Sequence, residues 1–315
     1  MAATEIFLRV PDYDLAATLD SGQAFRWQPG RGSWTGVIGQ YPVRLTGTRS
    51  GIRAETAGPV TDWRWLRDYL QTEADLDAAL RTFPDDEPMR QAVAACRGLR
   101  LLRQDPWECL ASFMLSATKQ IVQIRQIIAL LCERFGEPIA ANVADDDVGR
   151  RTFPLPKIAA DLRPRRRSGG SGLSATHLSH SFPTAERLAG LTEADLRACK
   201  MGFRAPNLHA AARRIADGRF DLKRLQQLPL PEAREELMKL RGVGRKIADC
   251  VLLFAYGFEG AFPVDVWVER ALRELYFPRR QVSAKRLHHF AATHFGPRAG
   301  YAQQYLFHYI RTKLN

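Results

Sequence analysis

Closely spaced cysteines are absent from this sequence. Its five cysteines are odd in number and widely scattered, and no two of them form a C-x-x-C pair: Cys96, Cys109, Cys132, Cys199 and Cys250. This spacing argues against a disulfide framework and against the usual zinc and iron–sulfur ligand patterns. It predicts a cytoplasmic protein that requires no cofactor.

Long hydrophobic runs are missing as well. No apolar stretch approaches the roughly 18 residues needed to span a bilayer, and the start MAATEIFLRVPDYD has no basic segment followed by an apolar core. No self-similarity at a period of about 20 to 50 residues is visible, which argues against a solenoid. We therefore expect a soluble protein with no membrane partner.

Positive charge is in excess. The 46 lysines and arginines outnumber the 34 acidic residues, which leaves a net charge of +12 and an isoelectric point near 9.8. A basic surface favours a polyanionic partner, because each neutralised phosphate releases counterions. Charge alone does not separate nucleic acid from an anionic membrane.

Two kinds of pattern divide the chain. Up to about residue 60, short β-favouring stretches alternate with turns and predict an antiparallel sheet: EIFLRV, QAFRWQ, WTGVIG, PVRLTG and GIRAET. Beyond it the apolar period is helical, and PWECLASFMLSATKQIVQIRQIIALLCERFG predicts one core helix or two with a break near Ser116. The fold class is α+β, with a sheet domain at 1–95 and a helical domain at 96–315.

One segment departs from globular composition. Residues 163–181, RPRRRSGGSGLSATHLSHS, are rich in Arg, Gly and Ser and have little to bury. Both a solvated flexible insertion and a basic arm that grips phosphates fit this composition.

A tight glycine turn separates two helical patterns in LMKLRGVGRKIADC. We interpret residues 232–257 as a helix–hairpin–helix. Gly242 and Gly244 would supply positive φ and let backbone N–H groups approach a DNA phosphate. The alternative is a plain glycine C-cap between packed helices.

Lys246 falls in the first turn of the second helix of this hairpin. The helix dipole disfavours a cation there by about 0.3–1 kcal/mol, and burial adds to that cost. A lysine so placed is a candidate nucleophile, because only the neutral amine carries a lone pair. Cys250 lies one turn later on the same face. The alternative is a solvated lysine that contacts DNA.

Asp265 immediately precedes the apolar-periodic helix of FPVDVWVERALREL. Its default role is an N-cap, worth about 1 kcal/mol. A carboxylate held at a helix N-terminus also stays ionised and is able to stabilise positive charge that develops on a sugar. Lys246 and Asp265 beside a phosphate-binding hairpin therefore predict a reaction centre.

These motifs resemble a known family. LRGVGRKIADC followed by PVDVW resembles the signature of the helix–hairpin–helix DNA glycosylase superfamily, and the lysine is typical of its bifunctional members. SGQAFRW, QDPWECLASFMLS, MGFRAPNL and YAQQYLF follow the order of counterparts in the 8-oxoguanine DNA glycosylase/AP lyases. The resemblance covers most of the chain. It implies a TBP-like sheet domain, a helical glycosylase body, and removal of 8-oxoguanine from duplex DNA with β-elimination through a lysine Schiff base.

The resemblance also implies individual roles. Lys246 would be the Schiff-base nucleophile and Asp265 the catalytic carboxylate. The extruded base would be bound by the Gly22 carbonyl, Gln303, and the sandwiching pair Cys250 and Phe307. Phe203 and Arg204 would wedge into the duplex and read the partner base, with Phe203 where the family usually has Tyr. Gly242 and Gly244 would contact the DNA backbone, and the carbonyls of Met238, Leu240 and Val243 would bind a structural monovalent or divalent cation.

The chain departs from the family after FMLS. Thr118 and Gln123 replace an asparagine and an arginine that contact the opposite cytosine, so the resemblance does not imply strict selection of cytosine. Arg204 alone, or Lys119 and Gln120, would then read the partner base.

Two other functions fit parts of the pattern. A monofunctional alkyl-purine DNA glycosylase shares the plan and the aspartate but normally lacks the lysine. A non-catalytic helix–hairpin–helix DNA-binding protein would use Lys246 only as a phosphate contact. Under the main interpretation we expect a monomer whose partner is double-stranded DNA containing an oxidised purine, associated with the nucleoid in a bacterium or located in the nucleus in a eukaryote.

Overall fold

The computed structural model of the chain describes residues 3–117, 119–139 and 178–313. Its N-terminal part is a five-stranded antiparallel sheet in the spatial order β1-β5-β4-β3-β2. The strands are β1 Ala3–Arg9, β2 Gln28–Pro29, β3 Trp34–Ile38, β4 Tyr41–Thr48 and β5 Gly51–Ala57. The predicted antiparallel sheet is confirmed, whereas most of the predicted insertion at 163–181 lies outside the described residues.

Buried side chains alternate with more exposed ones along the strands, and the buried ones form a small core on one face of the sheet. Val43 and Leu45 of β4, like Ile52 and Ala54 of β5, are fully buried at every second position, as expected where one face packs and the other meets water. The helices α1 Leu15–Asp20 and α2 Arg64–Leu70 supply the apolar side chains opposite, including Leu19, Leu66 and Leu70.

The predicted strand at QAFRWQ is wrong for most of its length, because only Gln28 and the following proline pair with β3. The Gln23 side chain bonds instead to the backbone of a distant segment: Nε2 donates to the Arg100 carbonyl at 2.8 Å, and Oε1 accepts from the Leu102 amide at 2.8 Å. Trp27 Nε1 donates to the Tyr69 hydroxyl at 2.8 Å. These buried bonds seat the segment between the sheet and the helical body.

The rest of the described chain is helical. After α2 come α3 Leu76–Leu80, α4 Glu87–Cys96, α5 Pro106–Leu115, α6 Ile121–Phe135, α7 Ala185–Ala189, α8 Glu193–Arg197, α9 Ala205–Ala216, α10 Leu230–Met238, α11 Arg245–Val251, α12 Val266–Tyr276, α13 Ala284–His294 and α14 Ala299–Lys313. Short 3₁₀ turns precede α9 and α10. Within the described ranges, none of the helices combines the length and apolarity that a bilayer crossing demands.

The break predicted near Ser116 is confirmed. Asp105 caps the start of α5 through a bond from the Glu108 amide, Ser116 caps its end, and Gln120 and Gln123 form a capping box at the start of α6. The chain therefore leaves α5 at Ser116 and enters α6 at Gln120. We call this turn, as far as its residues are described, the α5–α6 corner.

The helix–hairpin–helix is confirmed as α10, a turn and α11, which continues through a wider π-helical turn to Tyr256. Gly242 has φ +84, and a Cβ there would lie 2.6 Å from the Asn207 side chain, so a larger residue is disfavoured. The positive φ predicted for Gly244 is wrong. It has φ −93 and serves as the extended N-cap of α11, and a Cβ at this position would meet open space.

Candidate active site

The Lys246 side chain reaches from the first turn of α11 to the last turn of α5. Its Nζ lies 3.1 Å from Ser116 Oγ and 5.3 Å from the centre of the Phe113 ring. The residue is half-buried. A lysine that was only a solvated phosphate contact would have no need of these two partners from another helix.

Asp265 is the predicted N-cap of α12. Its Oδ1 accepts hydrogen bonds from the amides of Trp267 at 3.0 Å and Val268 at 2.8 Å. These bonds fix the carboxylate at the N-terminal end of α12.

Cys250 lies within electrostatic reach of both residues. The pKa of its thiol is raised to about 12, mainly by burial; the Lys246 ammonium opposes this shift and the Asp265 carboxylate adds to it. At neutral pH the thiol is therefore protonated, and Cys250 forms an uncharged wall one helical turn from the lysine.

Two of the predicted base-binding residues, Gly22 and Phe307, lie against each other in the structure. A Cβ on Gly22, which has φ +77, would lie 3.2 Å from the Phe307 ring and 3.4 Å from the Ile121 side chain. On the same helix as Phe307, Gln304 Nε2 donates to the Ser21 carbonyl at 2.8 Å and ties α14 to this turn. Gln303 is buried, and its Oε1 lacks a hydrogen-bond partner among the described residues. A buried amide acceptor left without a partner is suited to a polar ligand edge.

The predicted wedge pair lies beside the α5–α6 corner. Phe203 is 61% exposed, an unusual position for a large apolar ring, whereas Arg204 is buried. The Arg204 guanidinium stacks 4.2 Å over the Phe203 ring and donates to the Ala117 carbonyl. Ala117 directly follows Ser116, the residue that contacts Lys246. The wedge pair is therefore joined to the same turn as the lysine.

The two residues that replace the family's cytosine-contacting pair have different outcomes. Thr118 lies outside the described residues. Gln123 is engaged locally, since its Oε1 accepts from the Gln120 amide at 3.3 Å in the capping box of α6. That acceptor is used for helix capping.

Sequence reasoning missed two residues of this region. The sequence marks Ser116 only as a helix break, and its contact with Lys246 joins residues 130 positions apart. Arg311 lies with its guanidinium 5.3 Å from the Phe307 ring and donates to the Asp20 carbonyl at 3.3 Å. The i, i+4 spacing of Phe307 and Arg311 on one helix was the available signal for the second residue.

The predicted cation site lies in the hairpin turn. The Leu240 carbonyl accepts from the Val243 amide at 3.0 Å, and Leu240 and Val243 are buried whereas Met238 is 45% exposed. A carbonyl oxygen has two lone pairs, so this bond leaves it able to bind a hard cation. In the described part of the chain, no group of three His, Cys, Asp or Glu side chains is suited to a metal ion.

Comparison with known proteins agrees with this geometry. Residues 5–110 match the family described as 8-oxoguanine DNA glycosylase, N-terminal domain, and residues 111–294 match the HhH-GPD superfamily of base excision DNA repair proteins. A "Probable N-glycosylase/DNA lyase" of Methanothermobacter thermautotrophicus is 29% identical over 96% of each chain. The N-glycosylase/DNA lyase of Saccharomyces cerevisiae is 30% identical over 87% of this chain and 70% of its own.

Among solved structures, the Clostridium acetobutylicum 8-oxoguanine glycosylase/lyase is similar over its whole length. It was crystallised with double-stranded DNA containing cytosine opposite 8-oxoG. The two chains share 28% identity and a TM-score of 0.81, with 98% of this chain and 99% of the other covered.

Proposed function

Because the chain belongs to the HhH-GPD superfamily of base excision DNA repair proteins, we propose that it is a bifunctional DNA glycosylase that removes 8-oxoguanine from duplex DNA and then cleaves the abasic strand. The observation that carries this proposal is the placement of Lys246. Its amine is held against α5, and the Lys246 ammonium and the Asp265 carboxylate both lie close enough to the Cys250 thiol to act on its pKa. The relatives named N-glycosylase/DNA lyase support the same activity.

The proposed reaction begins with the neutral Lys246 amine. Its lone pair attacks C1′ and forms an N–C1′ bond, while the C1′–N9 bond breaks and its electron pair leaves with the base. The Asp265 carboxylate stabilises the oxocarbenium character that develops at the sugar. Loss of a proton from nitrogen and opening of the sugar ring give a Schiff base, which makes the C2′ proton acidic and permits β-elimination of the 3′-phosphate.

We propose that the extruded base is bound where Gly22 faces Phe307 of α14, with Cys250 of α11 on the other side of the base. The Gly22 carbonyl would accept the N7 hydrogen that distinguishes 8-oxoguanine from guanine, and Gln303 would bind the Watson–Crick edge with its unpaired Oε1. Cys250 and Phe307 would face the two sides of the base. A single hydrogen bond of this kind discriminates well, because guanine would leave a buried acceptor unpaired.

The exposed Phe203 ring supports a role as the wedge that fills the gap left by the extruded base. Unstacking a base costs a few kcal/mol, which an inserted apolar ring offsets in part. Arg204 would read the partner base, for which it must leave the Ala117 carbonyl. With Gln123 committed to its capping box, we propose that selection of the partner base is weak.

We propose that the hairpin contacts the DNA backbone. Gly242 and Gly244 would let the backbone N–H groups at the start of α11 approach a phosphate. The carbonyls of Met238, Leu240 and Val243 would hold a structural cation that neutralises phosphate charge, and no chemical step requires this ion. The protein would act as a monomer in the compartment that holds the DNA, the cytoplasm of a prokaryote or the nucleus of a eukaryote.

A single time course tests lesion, partner and mechanism together. Duplexes that carry 8-oxoguanine opposite each of the four bases are incubated with the protein, with and without borohydride. The proposal expects base loss, strand cleavage and a borohydride-trapped conjugate with the wild type, and none of these with Lys246→Gln. Excision of alkylated purines that survives Lys246→Gln would instead indicate a monofunctional glycosylase.

A further inference from the structure

The Lys246 amine is restrained on two sides by α5. One contact is the Ser116 hydroxyl at 3.1 Å, and the other is the face of the Phe113 ring, whose centre lies 5.3 Å away. Both residues belong to the last turn of α5 or its cap, whereas the lysine belongs to α11. The direction of the amine is therefore set by a tertiary contact and not by its own helix.

The Ser116 hydroxyl has a fixed polarity. Its proton is donated to the Phe113 carbonyl at 2.7 Å, so towards Lys246 the oxygen acts as an acceptor. A hydroxyl has one proton and two lone pairs, and a lysine nitrogen donates through its N–H bonds. One N–H of Lys246 consequently points at Ser116 whether the nitrogen is an ammonium or a neutral amine.

The Phe113 ring lies on the same side of the nitrogen, with its centre 5.3 Å from Nζ. The negative π face attracts both a cation and an N–H donor. With one N–H at the hydroxyl and the ring also on the α5 side, a tetrahedral position of the nitrogen is left that faces away from α5. A proton lost from this position leaves the lone pair in the same direction.

We propose that Ser116 is a positioning residue for the nucleophile: by holding one N–H of Lys246, its hydroxyl turns the lone pair of the neutral amine away from α5 and towards C1′ of the extruded nucleotide. This inference rests on the proposed function of Lys246. Ser116 exchanges no proton and no electron pair in the step. The N–C1′ bond forms from the lone pair that Ser116 orients, and the C1′–N9 pair leaves with the base.

The contact predicts a pattern among variants that a purely structural role would not give. Removal of the hydroxyl should lower the maximal rate and leave the affinity for the duplex unchanged, and threonine, which keeps an acceptor oxygen, should restore the rate. A serine that only stabilised the fold would not need an acceptor oxygen for the rate.

The test compares Ser116→Ala, Ser116→Thr and Ser112→Ala with the wild type and Lys246→Gln. Single-turnover excision from an 8-oxoguanine duplex is measured at saturating enzyme between about pH 5 and pH 9, where the limbs report the essential acid and base. Ser112 is a buried serine one turn earlier in α5 and controls for the loss of a hydroxyl from this helix. Thr keeps the acceptor oxygen.

We expect Ser116→Ala to lower the plateau by about 10- to 100-fold, the usual range for a misplaced reacting group, with duplex affinity within about twofold of the wild type. Ser116→Thr should retain most of the rate, and Ser112→Ala should match the wild type. An unchanged plateau, or equal losses in Ser116→Ala and Ser116→Thr, would overturn the positioning role. A wild type without excision would contradict the proposed function instead.

Discussion

At the scale of single residues, Asp265 combines two roles that substitutions can separate. Asparagine caps helices about as well as aspartate but carries no charge, whereas loss of the cap to alanine costs about 0.5–2 kcal/mol. We expect Asp265→Asn to keep the melting temperature and to lower the single-turnover rate by about 10²-fold through lost electrostatic stabilisation. Asp265→Ala should lower both the melting temperature and the single-turnover rate. Calorimetry measures the capping role and single-turnover kinetics measure the electrostatic role. Full activity of Asp265→Asn would show that the reaction does not need the charge of the carboxylate.

Gly22 offers a second test at this scale. With φ +77 and a prospective Cβ only 3.2 Å from the Phe307 ring, Gly22→Ala should distort the base pocket. We expect about tenfold weaker preference for 8-oxoguanine duplex over undamaged duplex, equivalent to about 1.4 kcal/mol. Gly32→Ala is the matched control, because Gly32 has φ +76 and no atom lies within 4 Å of its Cβ position. Equal preference in the two variants would show that backbone strain, and not the pocket, sets the effect.

The residues of the site were predictable only where their signal is local. The glycine turn, Lys246 and the capping role of Asp265 follow from neighbours within a few positions. The contact of Lys246 with Ser116, and that of Arg204 with the Ala117 carbonyl, join segments 130 and 87 residues apart. Such contacts depend on how helices pack, which a periodic pattern does not specify.

At the scale of elements, the helices of the hairpin are joined by a buried ion pair. Arg234 Nε on α10 lies 2.6 Å from Asp249 Oδ1 on α11, and the side chains are 14% and 2% exposed. Burial raises the pKa of Asp249, and the attraction of Arg234 opposes that shift. The pair fixes α11, and with it Lys246, against α10.

Breaking this pair should be costly. Asp249→Ala leaves a mostly buried guanidinium without its close partner, and we expect a loss of about 3–5 kcal/mol in the free energy of unfolding. Glu274→Gln, which removes an exposed i, i+4 pair with Arg270 on α12, should cost less than about 1 kcal/mol. Denaturant unfolding measures both variants, and equal small losses would show that the buried pair does not secure the hairpin.

The elements themselves were largely predictable. The turn between α5 and α6, the hairpin and the strands from β3 to β5 follow from hydrophobic period and turn residues. The composition of QAFRWQ favours β structure, yet Gln23 and Trp27 form side-chain hydrogen bonds to partners at 69, 100 and 102. These tertiary bonds outweigh local propensity.

At the scale of the whole molecule, the net charge of +12 should govern how tightly the protein holds DNA. The logarithm of affinity should fall linearly with the logarithm of salt concentration, with a slope of about −0.9 for each phosphate contact. Arg241→Gln, at the exposed hairpin turn, should reduce the slope by about one. Arg64→Gln, at an exposed site of α2, should leave the slope unchanged. Equal slopes for the two variants would show that Arg241 of the hairpin turn does not contact the DNA.

The central claim is that the Lys246 amine forms the covalent bond to the sugar. The most direct measurement is borohydride trapping with an 8-oxoguanine duplex, followed by proteolysis and mass spectrometry of the conjugate. We predict that the sugar remnant is found on the peptide containing Lys246 and that Lys246→Gln gives no conjugate. A remnant on another amine, or base excision by the wild type with no trapped species, would contradict the claim.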